Sequence, residues 1–202
     1  TEVVDINQEN KKTQEMYGLN NPITADFGRK CLITRRLLEN GVRFIQLYSG
    51  GGHIEDTWDG HGDCITNHKL HASETDQPIA ALISDLKRTG LWDETLLIWG
   101  GEFGRTIYSQ GQLTPTDYGR DHHPRCYSIW MAGGGVKGGV VYGETDDFSY
   151  NIVKNPVHIR DFQATILHLF GINHERFTHK HQGLEAKLTG VEHARIVNEL
   201  LV

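Results

Sequence analysis

The chain has 202 residues and a formal net charge of -6. This length is ample for one domain with a substantial core. A mildly acidic chain without a block of Lys and Arg is a poor match for nucleic acid, and no stretch approaches the ~20 apolar residues that span a bilayer. We therefore expect no nucleic acid and no membrane as a partner, while the oligomeric state stays open.

The three cysteines, Cys31, Cys64 and Cys126, are odd in number and contain no C-x-x-C pair. This pattern fits neither a disulfide framework nor a zinc knuckle. Cys31 and Cys126 have apolar neighbours in sequence, which predicts buried thiols.

The first part of the chain contains a polar leading segment and two predicted helices. Residues 1–22 carry few apolar side chains, with a short helix from Glu9 to Met16. Thr24 is placed to cap a second helix over residues 25–40, whose apolar positions recur at helical spacing. Asn40 and Gly41 then form a C-terminal capping signal.

Two strands and a long helix are expected next. Residues 42–48, VRFIQLY, combine β-branched and aromatic residues and predict a strand. A loop over residues 49–66 leads to a helix over residues 67–88, which Gly90 ends. The short apolar run at 96–99 predicts the next strand, and a polar loop follows it.

The remaining residues predict two more strands and two more helices. Tyr127 to Ala132 predicts a strand that runs into a glycine turn and a short strand within residues 136–143. An amphipathic helix is expected over residues 157–170 and a final helix over residues 191–202, with irregular chain between them. Strands that alternate with helices favour an α/β fold with a mostly parallel sheet.

Charged and imidazole side chains follow two of these strands. Asp59 and His61 lie in the loop after the strand at 42–48. The loop after the strand at 96–99 carries a larger set, which comprises Glu102, Arg105, Asp121, His122 and His123. In a parallel sheet the carboxyl ends of the strands share one edge, where α/β proteins commonly place their sites. We therefore expect the two groups to converge.

Carboxylate oxygen and imidazole nitrogen together favour a divalent metal. This mixture suits zinc, manganese or iron better than calcium alone, and the choice among zinc, manganese and calcium stays open. An open metal position would activate water or polarise an ester oxygen, and Arg105 would offer a fork to an anionic oxygen. The residue types thus predict a metal-dependent hydrolase of sulfate or phosphate esters, with a small molecule or a glycan as substrate.

Each of these residues also has a purely structural interpretation. Asp59 and Asp121 could cap turns, and Glu102 could pair with Arg105 across a turn. The histidines at 122–123 could bond backbone groups of a loop. The chain would then be a non-catalytic binding module that uses the cleft for a sulfated glycan or a protein partner, or a structural domain with incidental histidines.

Several motifs give the chain a resemblance to a known family. They read CLITRRLLENGVRFIQLY, TWDGHGD, DLKRTGLWDETLLIWGGEFGRT, GRDHHP, WMAGGGVKGGVVYGETD and DFQATILHLFGI, and together they cover most of residues 25–190. On these motifs the chain resembles sulfatase-like proteins of unknown function within the alkaline phosphatase superfamily, which are common in bacteria rich in sulfatases.

The resemblance implies a three-layer α/β sandwich with a mostly parallel central sheet, formed as a single domain over residues 1–202. It also implies divalent metals at the carboxyl ends of the strands and ester hydrolysis. In the superfamily pattern, Asp59 and His61 match one metal-binding pair, and His122 or His123 matches a later histidine of that site. Glu102 falls where the acid of a second metal-binding pair would be, as a ligand or a base.

The chain departs from the superfamily pattern at Phe103, which takes the place of the second pair's histidine and cannot ligate a metal. A second site would have to be rebuilt with Asp121 or His123. The superfamily's first strand, with its Asp ligand and nucleophile, is expected upstream of Thr1, so that the N-terminal portion of the domain would precede this chain. A signal for export to the periplasm or beyond is expected upstream as well.

Overall fold

A computed structural model describes residues 2–50 and 57–202. Contacts divide the chain into two compact units, unit 1 with Thr1–Thr95 and Arg105–His122, and unit 2 with Leu96–Gly104 and His123–Val202. The α-helices of the described residues are α1 (Lys11–Met16), α2 (Ala25–Glu39), α3 (Cys64–Thr89) and α4 (Ile159–Leu169). The strands are β1 (Leu96–Trp99), β2 (Gly104–Leu113), β3 (Tyr118–His123), β4 (Trp130–Gly133), β5 (Glu144–Thr145), β6 (Ile152–Lys154), β7 (Thr178–His181) and β8 (Leu184–Lys187).

The core of unit 1 forms where α2 packs against α3. Leu32 of α2 and Leu86 of α3 are fully buried there. The helix α3 begins earlier than predicted because the Asp63 carboxylate accepts a hydrogen bond from the backbone N–H of Thr66 and caps it. It ends at Gly90, whose left-handed φ of 78° suits glycine. No helix in the described ranges is long and apolar enough to cross a bilayer.

Buried charges tie the leading segment to this core. Asp85 of α3 is completely buried and accepts a hydrogen bond of 3.0 Å from the Tyr17 hydroxyl. The same carboxylate lies 3.0 Å from Nε of Arg35 and 2.5 Å from Nη2 of Arg88. Nη2 of Arg35 also lies 2.7 Å from the Glu9 carboxylate. Burial, followed by the charge of Asp85, raises the pKa of Tyr17, so its hydroxyl stays protonated and donates.

In unit 2, β1 and β4 pair in an antiparallel register that joins Leu96 to Gly133 and Trp99 to Trp130. The side chains of Trp99 and Trp130 stack with ring centroids 6.4 Å apart. The helix α4 begins with a capping box between His158 and Asp161. The strands β5 and β6 form one antiparallel hairpin, and β7 and β8 form another.

The three cysteines are free and buried, which confirms the prediction for Cys31 and Cys126.

The expected α/β sandwich with a mostly parallel central sheet is wrong. The described strands form four separate two-stranded sheets, and the pairings with a defined register are antiparallel. Parallel neighbours need a long crossover connection, whereas β2–β3, β5–β6 and β7–β8 join strands that follow one another along the chain. The one longer connection, from β1 to β4, also returns in the antiparallel sense.

The strand expected at 42–48 is also not formed: these residues belong to no helix or strand, and Phe44 and Tyr48 are exposed. Part of the loop that follows, residues 51–56, lies outside the described residues. The polar stretch expected as a loop after the strand at 96–99 instead contains the β2–β3 pair. The irregular chain expected between the last two helices contains the β7–β8 hairpin.

The final helix expected over residues 191–202 is reduced to a 3₁₀ turn at Asn198–Leu200. Its backbone donors bond to α4 instead: the N–H of Arg195 donates to the Asp161 carboxylate, and that of Val197 donates to the Thr165 hydroxyl. Side chains of α4 therefore take the N–H groups that a helix would have used.

Candidate metal centre

The loop before α3 lies directly against β3. The backbone N–H of Arg120 donates to the carbonyl of Gly60 over 3.0 Å. Gly119 permits this approach, because a Cβ at that position would lie 1.8 Å from the carbonyl oxygen of His61. The close backbone contact brings the side chains of the loop beside that of His122.

Three potential ligand atoms converge at this contact. The Oδ1 atom of Asp59 lies 2.8 Å from Nε2 of His61 and 3.0 Å from Nε2 of His122. The two imidazole Nε2 atoms are 3.1 Å apart. Metal bonds of about 2.0–2.1 Å place neighbouring ligand atoms about 2.9–3.4 Å apart, so these separations are close to those around a single ion. Within the described residues, Asp59, His61 and His122 are the group that could hold a metal.

Arg105 balances the charge of this group. Its Nη2 donates to Oδ1 of Asp59 over 2.5 Å, and its Nη1 donates to the carbonyl of Arg120 over 3.3 Å. Partial burial of Asp59 raises the pKa of its carboxyl, but hydrogen bonds from His122 and Arg105 and the charge of Arg105 outweigh burial and lower the pKa to about 2. Asp59 is therefore ionised at neutral pH and ready to act as an anionic ligand.

The orientation of His61 is set by Gln110 on β2. Oε1 of Gln110 forms a short contact with Nδ1 of His61. Since an amide oxygen only accepts, Nδ1 is the protonated nitrogen that donates to it. The other ring nitrogen, Nε2, then faces Asp59 and His122.

Solvent reaches the group. The side chains of Asp59 and His61 are each 31% exposed, and that of His122 is 42% exposed. A catalytic metal site keeps a position open to water or substrate, whereas a structural site is closed by four protein ligands. Among the described residues the group therefore offers three donors, and all three are exposed to solvent.

The other residues predicted for the site lie elsewhere in their units. The Asp121 carboxylate accepts a hydrogen bond from the backbone N–H of its neighbour His122. In unit 2, His123 is buried, stacks on Tyr150 and bonds to its carbonyl over 2.7 Å. Glu102 also belongs to unit 2, where its side chain is exposed and forms no ion pair with the described residues. Of the two adjacent histidines, His122 is the one that joins Asp59 and His61.

Two residues of the site are not among those predicted from the sequence. Gln110 is an exposed glutamine in a polar run, and no spacing or composition distinguishes it from Gln112. Gly119 stands directly before the Arg-Asp-His-His sequence, and a glycine beside candidate ligands is a signal for close backbone approach. The sequence thus indicates that another part of the backbone lies close to Gly119, but it does not indicate that this is the backbone of His61.

A family model described as a protein of unknown function (DUF1501) matches residues 1–201. The chain belongs to this family. No curated protein and no solved structure matches it. Because the family's description states no activity, the chemistry of the site is the ground on which a function is proposed.

Proposed function

We propose that this member of the family of unknown function binds a divalent metal through Asp59, His61 and His122 and is a metal-dependent hydrolase of sulfate or phosphate esters. The observation that carries the proposal is the convergence of three ligand atoms at mutual distances of 2.8, 3.0 and 3.1 Å. Two imidazole nitrogens and a carboxylate oxygen at this spacing can all reach one cation.

The donor set favours some ions over others. Two imidazole nitrogens and one carboxylate oxygen suit zinc, manganese or iron. Calcium prefers six to eight oxygen ligands, which this group does not offer by itself. We therefore rank zinc, manganese and iron above calcium.

Hydrolysis is the chemistry that such an open site supports. A bound divalent ion lowers the pKa of water and polarises an ester oxygen. Asp59 and Arg105 balance each other in charge, so the positive charge of the ion would remain to attract an anionic ester. The guanidinium of Arg105 lies beside the ligands and is suited to binding a sulfate or phosphate oxygen. The motifs that resemble sulfatase-like proteins favour the same substrate class.

A second candidate is a non-catalytic module that holds a sulfated glycan or an anionic protein partner in the same cleft. The observation that favours it is the engagement of Arg105, whose two Nη atoms already donate to Asp59 and to the carbonyl of Arg120. This candidate predicts binding of sulfated ligands to the metal-loaded protein without turnover.

Loss of a ligand should abolish metal binding. Asp59→Asn and His122→Ala each remove one of three donors, and we expect zinc affinity to fall by more than the ~10–100-fold that is typical when only an outer-shell partner is lost. Isothermal titration with zinc chloride measures the affinity. His179→Ala, which removes an exposed histidine of β7, is the matched control and should leave the affinity unchanged.

Turnover then separates the two candidate functions. The protein loaded with zinc, manganese or iron is assayed with aryl sulfates and aryl phosphates, and the hydrolase predicts product formation that both ligand variants lose. Zinc binding with no turnover, together with retention of a sulfated glycan, would support the binding module instead. Equal zinc binding by wild type, Asp59→Asn and His122→Ala would overturn the metal site itself.

A further inference from the structure

Gln110 makes a specific contact with a proposed metal ligand. Its side chain is exposed on β2, yet Oε1 reaches Nδ1 of His61. Metal-bound histidines usually donate their second ring N–H to a carboxylate, a carbonyl or water, and this bond fixes the ring and its tautomer. An amide oxygen serves the same purpose.

We propose that Gln110 is a positioning residue of the metal site, which holds the proton on Nδ1 of His61 and so directs Nε2 to the ion. The inference rests on the proposed metal site. Without Gln110 the imidazole could rotate about its χ2 torsion or protonate on Nε2, and either change would remove a ligand.

Because Gln110 is uncharged, it also affects which class of ligand the metal-loaded site would bind. A carboxylate at this position would make His61 more basic and would strengthen the bond to the ion. It would also add a negative charge within a few ångströms of the site. Because Asp59 and Arg105 already balance, a neutral Gln110 leaves the full charge of the ion to attract an oxyanion. Gln110 therefore favours anion binding at some cost in metal affinity.

Two substitutions separate these effects. Gln110→Leu removes the acceptor, and we expect zinc affinity to fall about 10–100-fold. Gln110→Glu keeps an acceptor, so zinc should bind at least as tightly as in wild type, while inorganic phosphate should bind the zinc-loaded protein about 3- to 5-fold more weakly. Calorimetric titration of the full chain with zinc chloride, and then with phosphate, measures both. Gln112→Leu, an exposed glutamine of the same strand, is the matched control.

A spectroscopic readout tests the positioning itself. In the zinc-loaded wild type, nitrogen-15 NMR should show a proton on Nδ1 of His61 that exchanges slowly with water. The signal should persist in Gln110→Glu and broaden or disappear in Gln110→Leu. A change in stability alone would not move this signal between the two ring nitrogens.

The outcomes distinguish the two levels of the proposal. Failure of wild type to bind zinc would overturn the metal site and the role of Gln110 with it. Tight zinc binding by wild type with equal affinity in Gln110→Leu would overturn the role of Gln110 alone. If Gln110→Leu does not fold, Gln110→Glu decides: unchanged phosphate binding and a proton on Nε2 of His61 would refute the inference.

Discussion

The Gly119→Ala variant is expected to lose metal binding. The Gly62→Ala variant, which changes the loop that Gly119 contacts, is expected to retain metal binding. A Cβ on residue 119 would lie 1.8 Å from the carbonyl oxygen of His61 and 2.8 Å from the backbone nitrogen of Gly62. These are backbone atoms of the ligand-bearing loop, which cannot yield by a change of rotamer. The loop must therefore move away from β3 and carry Asp59 and His61 away from His122.

The size of the effect follows from the closeness of the contact. Forcing extra atoms into a packed contact typically costs about 1–3 kcal/mol, and a displacement of about 1 Å separates ligand atoms beyond the reach of one ion. We expect zinc affinity to fall by more than about 100-fold, beyond the range for loss of an outer-shell partner. Titration with zinc chloride measures the loss of affinity, and thermal unfolding followed by circular dichroism measures the loss of stability.

Gly62 is the appropriate comparison because a Cβ added there meets no atom of the described residues within 4 Å. The same Gly→Ala change thus reduces backbone freedom without a clash. If Gly119→Ala binds zinc as tightly as Gly62→Ala, the contact between the loop and β3 does not hold the ligands together.

Asp85→Ala is expected to destabilise unit 1 by about 3 kcal/mol. The carboxylate is completely buried, and its removal leaves the Tyr17 hydroxyl and the Arg35 guanidinium without one of their partners inside the core. Breaking a buried pair typically costs about 3–5 kcal/mol. The lower end applies because Arg35 keeps Glu9 and Glu39, at 2.7 and 2.6 Å. Urea unfolding monitored by tryptophan fluorescence and circular dichroism gives the free energy of unfolding.

An exposed ion pair provides the control for this prediction. Asp26 pairs with Lys30 over 2.7 Å, but its side chain is 82% exposed. Asp26→Ala should therefore cost less than about 1 kcal/mol. Similar losses for Asp85→Ala and Asp26→Ala would show that the buried network contributes no more than a surface pair.

Two of the helices, α2 and α4, agree closely with their prediction from the sequence. In α2 and α4, apolar residues at helical spacing agree with end signals at Asn40 and Gly171, and the observed bounds lie within two residues of the predicted ones. Local signals suffice for these elements because the hydrogen bonds of a helix lie within the segment itself.

Strand pairing was not predictable from the same kind of pattern. VRFIQLY at 42–48 has the composition of a strand, but a strand needs a partner that its own residues do not specify. Conversely, β2 contains Gln110, Gly111 and Gln112 and lacks the alternation of apolar and polar residues that signals a strand. The β2–β3 pair that supplies His122 therefore has the sequence pattern of a loop.

The sequence predicts that Asp and His side chains form the candidate site, but it does not predict which of the candidate residues come together. Asp59 and His61 are candidate ligands by residue type, by their place after a predicted strand and by the family resemblance. The choice between His122 and His123 depends on the facing of consecutive residues in β3, since adjacent side chains of a strand point to opposite sides. The structure assigns His122 to the group and packs His123 on Tyr150.

The spacing of the ligands along the chain has a consequence for folding. His61 and His122 are 61 residues apart in sequence, and their meeting closes a loop that contains the whole of α3 and β1. Closing such a loop costs conformational entropy. An ion held from both ends would act as a cross-link between the two ends of this loop. The packing of the β2–β3 pair against the loop before α3 would then depend on the free concentration of the ion, whereas the α2–α3 core would keep its own stability.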